Sequence, residues 1–286
     1  MVDALAQGIL LGGLYASVAL GLSVVFGVLR LVNLAHGELL IGAAFLAFLV
    51  VDGTGVDPLL SLLVVAPAMF AIAYPIQRYV LTPVLTRSEE APLVATFGLS
   101  LAATGLFAEL WRSDPRSLHA SWASSRISVL GVDMRVAYVI AFVAGVLLVA
   151  ATHVALTRTR RGAAVRAAAA DPDTAAVMGI DVRRLYAATF GIAAAMAAVG
   201  GVFIGTAFSI TPTGGVTWLL TGFAVVVLGG IGDAFGALTA GILLGVVIEW
   251  STLVVDERWK TAIGFVVLIL VLIIRPQGIF GKARAI

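Results

Sequence analysis

An all-α, polytopic integral membrane protein is the fold class this sequence predicts, and three observations predict it. Of 286 residues, 61% are hydrophobic and only 12% charged, against roughly a quarter charged in ordinary soluble domains. The apolar residues come in runs of about 20, the length a helix needs to cross a bilayer core. The remaining charge is gathered into a few inserts. The most prominent is residues 157–184, TRTRRGAAVRAAAADPDTAAVMGIDVRR, with six arginines between nearly charge-free stretches.

Nine apolar segments follow one another along the chain, at 5–29, 37–51, 59–80, 92–111, 136–156, 186–208, 216–231, 234–253 and 261–274. They predict about eight or nine transmembrane or re-entrant helices in a single transmembrane domain, 1–286. The first segment lacks a basic flank and runs past signal-peptide length, so it reads as a retained span. Short loops rich in Lys and Arg stay on the cytoplasmic side, which places 157–184 inside. Alternation then makes 78–90 and the tail with Arg275, Lys282 and Arg284 cytoplasmic, and the N-terminus external. Loop 112–135 falls outside despite its four arginines. Trp111, Trp218, Trp250 and Trp259 fall at external segment ends and Trp122 in the external loop, as aromatic anchors at one interface would.

The polar insert has helical structure of its own. Six of the nine residues 162–170 are alanine, the best helix former. Asp171 suits an N-cap, Pro172 the first turn and Gly179 the end of a second short helix. Two preformed helices on the cytoplasmic face make a docking surface for an intracellular partner.

Two polar or glycine-rich breaks interrupt the apolar pattern, Asn33-Leu34-Ala35-His36-Gly37-Glu38 and Gly229-Gly230-Ile231-Gly232-Asp233. Paired interrupted helices point to a substrate path in transporters, and broken backbone inside a membrane must be buried in protein or line a cavity. Both breaks read equally well as loops between ordinary spans. His36 and Glu38 have two readings as well: pathway residues, since intramembrane charge is costly, or groups wetted at a helix end, with Glu38 favoured by the helix dipole. Glu109 and Glu249 fall near external ends. His153 reads as an interface residue before the basic insert, and His119 has no ligand partner at useful spacing.

Glycines recur every four residues at Gly8/Gly12, Gly201/Gly205, Gly232/Gly236 and Gly241/Gly245. That spacing lets helices approach closely in lipid. The sequence has no cysteine, no phosphate-binding loop, no H-E-x-x-H and no G-x-S-x-G, so nothing marks a catalytic site, a cofactor or a metal. The formal charge of +2 requires no nucleic acid.

Several blocks carry a resemblance. GGLYASVALGLSVVFGVLRLVNLAHGELLIGAAFLA, APLVATFGLSL, TRTRRGAAVRAAAADPDTAAVMGID, LGGIGDAFGALTAGILLG and RPQGIFG occur in this order. Together they resemble the LivH-type permease subunit of the branched-chain amino acid ATP-binding cassette importers. The resemblance implies the importer permease fold, a bacterial cytoplasmic (inner) membrane location and transport of branched-chain amino acids or a related small amino acid or amide. It implies a second homologous permease, two cytoplasmic ATPase subunits that hydrolyse the ATP, an extracytoplasmic substrate-binding protein and surrounding lipid as partners. Gly162, Arg166, Asp171, Ala175, Gly179 and Ile180 match the recurring positions of the ATPase-coupling loop. The family's Asn-x-Ala-His-Gly block falls on Asn33, Ala35, His36 and Gly37 and its Gly-Gly-x-Gly block on Gly229, Gly230 and Gly232; these, with the adjoining Glu38 and Asp233, would flank the substrate pathway.

Leu34 stands where the family often has Phe, and Asp233 where it commonly has Ser. Related permeases serve urea, short amides, polar amino acids or aromatic acids, which are the alternative substrates. An ATP-independent channel or secondary carrier is the alternative of another class. The bare mid-span stretches count against a carrier, and the coupling insert would be purposeless in a channel.

Overall fold

The computed structural model describes residues 1–286 except 86, 87, 89, 113, 130, 256–258, 276, 277 and 280–286. Lys282 and Arg284 of the tail, part of the RPQGIFG block and part of loop 78–90 therefore lie outside the described residues. Among the described residues, eleven α-helices run in the order α1 (Val2–Leu29), α2 (His36–Thr54), α3 (Pro58–Pro75), α4 (Ala91–Trp111), α5 (Val136–Arg158), α6 (Arg160–Ala170), α7 (Pro172–Val177), α8 (Val182–Ala207), α9 (Gly215–Gly229), α10 (Ala234–Ser251) and α11 (Lys260–Ile274). A π-helical segment, Ile76–Leu81, extends α3. Seven helices are long and apolar enough to cross a membrane, counting Pro58–Leu81 as one, and α9 and α11 are shorter apolar helices. The nine apolar segments of the sequence correspond to these nine, and α6 and α7 fill the polar insert. Loop 112–135 adds a feature not foreseen, an antiparallel hairpin of β1 (Arg126–Val129) and β2 (Val132–Arg135).

Helix α1 is the axis of the bundle, packed by α10, α8, α5 and α9. Small residues make this possible. Gly8 and Gly12 of α1 lie directly against the backbone of Gly245–Val246 and Gly241–Ile242 of α10. Two of the four glycine pairs thus interlock face to face, as lipid-embedded helices without a hydrophobic driving force require. Gly13 meets Phe142 and Gly145 of α5, and Gly21 meets Ala193 of α8.

The long helices differ sharply in burial. Most of α1 and α8 is enclosed, whereas α4 buries only Pro92, Thr96 and Ser100. Peripheral helices present Leu63, Val94, Leu101 and Leu147 outward, as lipid-facing surfaces do.

Candidate functional site

The break after α1 is not a surface loop. Arg30 ends α1 with φ 53°, and its guanidinium donates to the carbonyls of Ala169 and Ala170 at the end of α6, at 3.1 and 3.3 Å. Residues 30–35 then run without helix, with Leu31, Asn33 and Ala35 buried, until His36 opens α2. There the His36 Nε2 lies 2.9 Å from the Val18 carbonyl. Val18 stands twelve residues up α1 from Arg30, about 18 Å at ~1.5 Å per residue. The chain has climbed back to mid-depth before α2 starts.

The segment between α8 and α9 does the converse. Ile210 exchanges backbone hydrogen bonds with Arg116, whose guanidinium covers Phe48 of α2. Five residues later Gly215 sits against Gly37 and the carboxylate of Glu38. From Phe48 to Gly37 is about 16 Å along α2 at ~1.5 Å per residue. The two non-helical links therefore enter from opposite faces, and together they cover about one bilayer core of ~30 Å. The N-termini of α2 and α9 meet there, through two glycines that leave no room for a side chain between them.

Polar groups gather at this junction. The Asn33 side-chain oxygen accepts the Ala35 amide at 3.1 Å, an Asx turn that shapes the link. The Val32 carbonyl accepts the Thr96 hydroxyl at 3.2 Å. Glu38 is only 4% exposed; its Oε1 accepts the Thr104 hydroxyl at 3.3 Å, and Ser100 lies beside it. Asn33 Nδ2 and His36 Nδ1 are buried without a hydrogen-bond partner among the described residues. His36 and Glu38 are thus enclosed rather than wetted at a helix end, and the middle of the bundle is less bare than its apolar runs suggest.

Gly229, Gly230, Gly232 and Asp233 are not part of this cluster. They form a tight turn between α9 and α10, with φ 95° at Gly230 and 81° at Gly232. Gly232 abuts Gly27 of α1, and Gly229 packs on Gly236. Asp233 caps α10 by accepting the Gly236 amide at 2.9 Å. Gly27 is nine residues beyond Val18, about 13 Å at ~1.5 Å per residue, so this turn lies towards the face that carries α6. It lines a cavity of ≈ 480 Å³ together with Ser23, His153 and Arg166. The His153 ring faces Phe235 at 4.7 Å. Residues expected in the pathway and in the coupling loop thus share one space.

The coupling insert folds from local signals. Thr159 caps α6, its hydroxyl accepting the Gly162 amide at 2.9 Å, and Gly162 fits beneath the carbonyls of Ala155 and Leu156 where α5 turns into α6. Asp171 caps α7 by accepting the amides of Asp173 and Thr174 and the Thr174 hydroxyl, the last at 2.6 Å. Those bonds, led by the hydroxyl, hold the Asp171 carboxyl below its ordinary range. Ala175 is the buried residue of α7, Ile180 is half-buried and Gly179 takes φ 87° with open space around it. Sequence reasoning passed over Val177 and Met178, which are 87% and 78% exposed at the tip of α7. Their signal was available: two apolar residues beside a helix-ending glycine in a charged insert.

Residues 4–272 match the family model described as branched-chain amino acid transport system, permease component. The chain belongs to that family. The high-affinity branched-chain amino acid transport system permease protein BraD of Pseudomonas aeruginosa is 32% identical over 97% of this chain and 95% of its own length. The corresponding protein LivH of Escherichia coli K12 is 30% identical over 96% of this chain and 94% of its own. A more distant relative, the fructose import permease protein FrcC of Rhizobium meliloti, is 27% identical over 62% of this chain and 55% of its own. No solved structure matches. The permease is therefore a multi-pass membrane component of an ATP-binding cassette transport family, a transport subunit rather than an enzyme, as the sequence blocks implied.

Proposed function

We propose that this permease forms half of the translocation path of an ATP-driven importer for branched-chain amino acids or a closely related small amino acid. The near full-length match to the branched-chain amino acid permeases carries this reading. The face with α6 and α7 is cytoplasmic, as its arginines require, and α7 seats on an ATPase subunit. A second permease completes the path, a second ATPase completes the motor, and an extracytoplasmic binding protein delivers substrate.

Within the bundle, Asn33, His36, Gly37 and Glu38 border the path at mid-depth, and Gly229, Gly230, Gly232 and Asp233 border it nearer the ATPase. Gly162, Arg166, Asp171, Ala175, Gly179 and Ile180 shape the coupling surface, and the bare side chains of Val177 and Met178 are its contact. Support comes from the cavity shared by Arg166 and Asp233, which gives motion of α6 a direct route to the turn before α10.

The test is reconstitution of the native complex in proteoliposomes with its binding protein and ATP. ATP-dependent leucine uptake is expected, and uptake of urea or an aromatic acid with none of leucine would refute the substrate. Burying an aliphatic side chain is worth about 1.5–3 kcal/mol, so V177S or M178S should weaken ATPase co-purification roughly tenfold or more. Undiminished co-purification of both variants would refute α7 as the docking element.

A further inference from the structure

Beside the coupling insert lies a second cavity, larger than the one beneath α6, at ≈ 800 Å³. Arg30 at the end of α1, Arg78 in the π-helical segment and Arg183 at the start of α8 all line it, with the Tyr186 ring among them. Among the described residues its acidic lining groups are Asp173 and Asp181. Asp181 is already engaged by its neighbour, accepting the Arg184 amide and pairing with the Arg184 guanidinium at 2.9 Å. Among the described lining residues three arginines therefore face two carboxylates, one of which is already paired with Arg184.

The arginines are not spent on one another's partners. Arg30 leans on two carbonyls of α6, which orients its guanidinium without neutralising it. Arg78 is half-buried and has only the neutral hydroxyls of Tyr74 and Tyr79 as side-chain partners, while its Nη1 atom has no hydrogen-bond partner among the described residues. A buried donor left unmade is costly, and an anion is the partner that would satisfy it. π-Helical turns are rare and recur at functional sites.

The position of the cavity indicates where that anion comes from. Arg78 lies in the last turns of one membrane-crossing helix, and Arg30 and Arg183 at the end and start of two others. The residues following Arg78, Tyr79 and Val80, are exposed and amphipathic or apolar, so this rim meets the acyl–headgroup boundary. Basic pockets between spans at such a boundary suit anionic lipid headgroups, and guanidinium forks match phosphate oxygens.

We propose that this cavity is a phosphate site occupied by the headgroup of an anionic phospholipid from the adjacent leaflet. The lipid would bridge the π-helical end of α3 to the coupling insert through Arg78, Arg30 and Arg183. Nothing in the proposal depends on which solute the permease carries.

The native complex, exchanged into nanodiscs of phosphatidylcholine doped with phosphatidylglycerol, would be analysed by native mass spectrometry for retained lipid. Preferential retention of phosphatidylglycerol is expected. R78Q and R183Q should each lower its occupancy about fivefold, equivalent to about 1 kcal/mol per arginine near the surface. R78K should keep most of it, and R126Q, in the hairpin of the opposite face, should change nothing. Because Arg30 also caps α6, the variants at 78 and 183, which leave that cap intact, decide the question. Wild-type retention in both would overturn the site. Retention only after the ATPase has been stripped away would make the cavity part of the ATPase groove and overturn the proposal equally. Inorganic phosphate displacing the lipid, or protecting the complex as well in pure phosphatidylcholine, would make the anion a soluble one and overturn the lipid assignment.

Discussion

Gly37 has the least freedom of any residue near mid-depth, since a Cβ there would coincide with the Gly215 carbonyl. Even alanine must push the starts of α2 and α9 apart, and overpacking of this kind costs about 1–3 kcal/mol. G37A should therefore insert normally yet lose most uptake, measured as transport per membrane-extracted molecule. Wild-type uptake by G37A would mean that the junction tolerates separation and does not shape the path. Glu38 shares the constraint, because its carboxylate fills the space beside Gly215. The sequence singled out Gly37 within its polar break but not its contact, because Gly215 lies far away in the chain and in an ordinary-looking glycine context. Asn33, His36 and Glu38 could be singled out because polar residues in an apolar run are conspicuous. Their depth could not, because it is set by contacts with Val18, Thr96 and Thr104.

At the scale of elements, legibility follows the range of the forces involved. The α6–α7 pair was readable because its caps and its ending glycine act within three or four residues of themselves. The link at 208–214 was not, since an extended chain returning into the bundle is specified by α2 and loop 112–135 rather than by its own composition. Asp171 offers a local test. Its carboxyl is depressed in the folded insert by the Thr174 hydroxyl and amides, so the cap is fully present above the ordinary carboxylate range. It disappears as pH falls through the depressed value. Amide hydrogen exchange across 172–177 should accelerate in D171A at neutral pH, while D171N, which still accepts hydrogen bonds, should stay close to wild type. Equal exchange in wild type and D171A would show that α7 is held by packing on Ala175 instead.

Across the whole molecule, the interlocked glycines of α1 and α10 hold the bundle about its axis. A side chain at Gly12 would run into the Ile242 backbone, so G12V should separate the two helices along their contact and lower the thermal midpoint in detergent by several degrees. An unchanged midpoint would show that α1 and α10 can slide apart freely. The opposed links at 30–35 and 208–214 also bear on how the protein is made. A membrane insertion machine releases helices in order, yet the stretch that precedes α2 relies on Thr96 from α4 and meets its counterpart only when α9 arrives. The start of α2 can settle on Val18 of α1 early, but its contact with Gly215 forms only after more than two hundred residues have emerged. Closure of this junction therefore joins two segments separated by most of the sequence and belongs late in the chain's assembly.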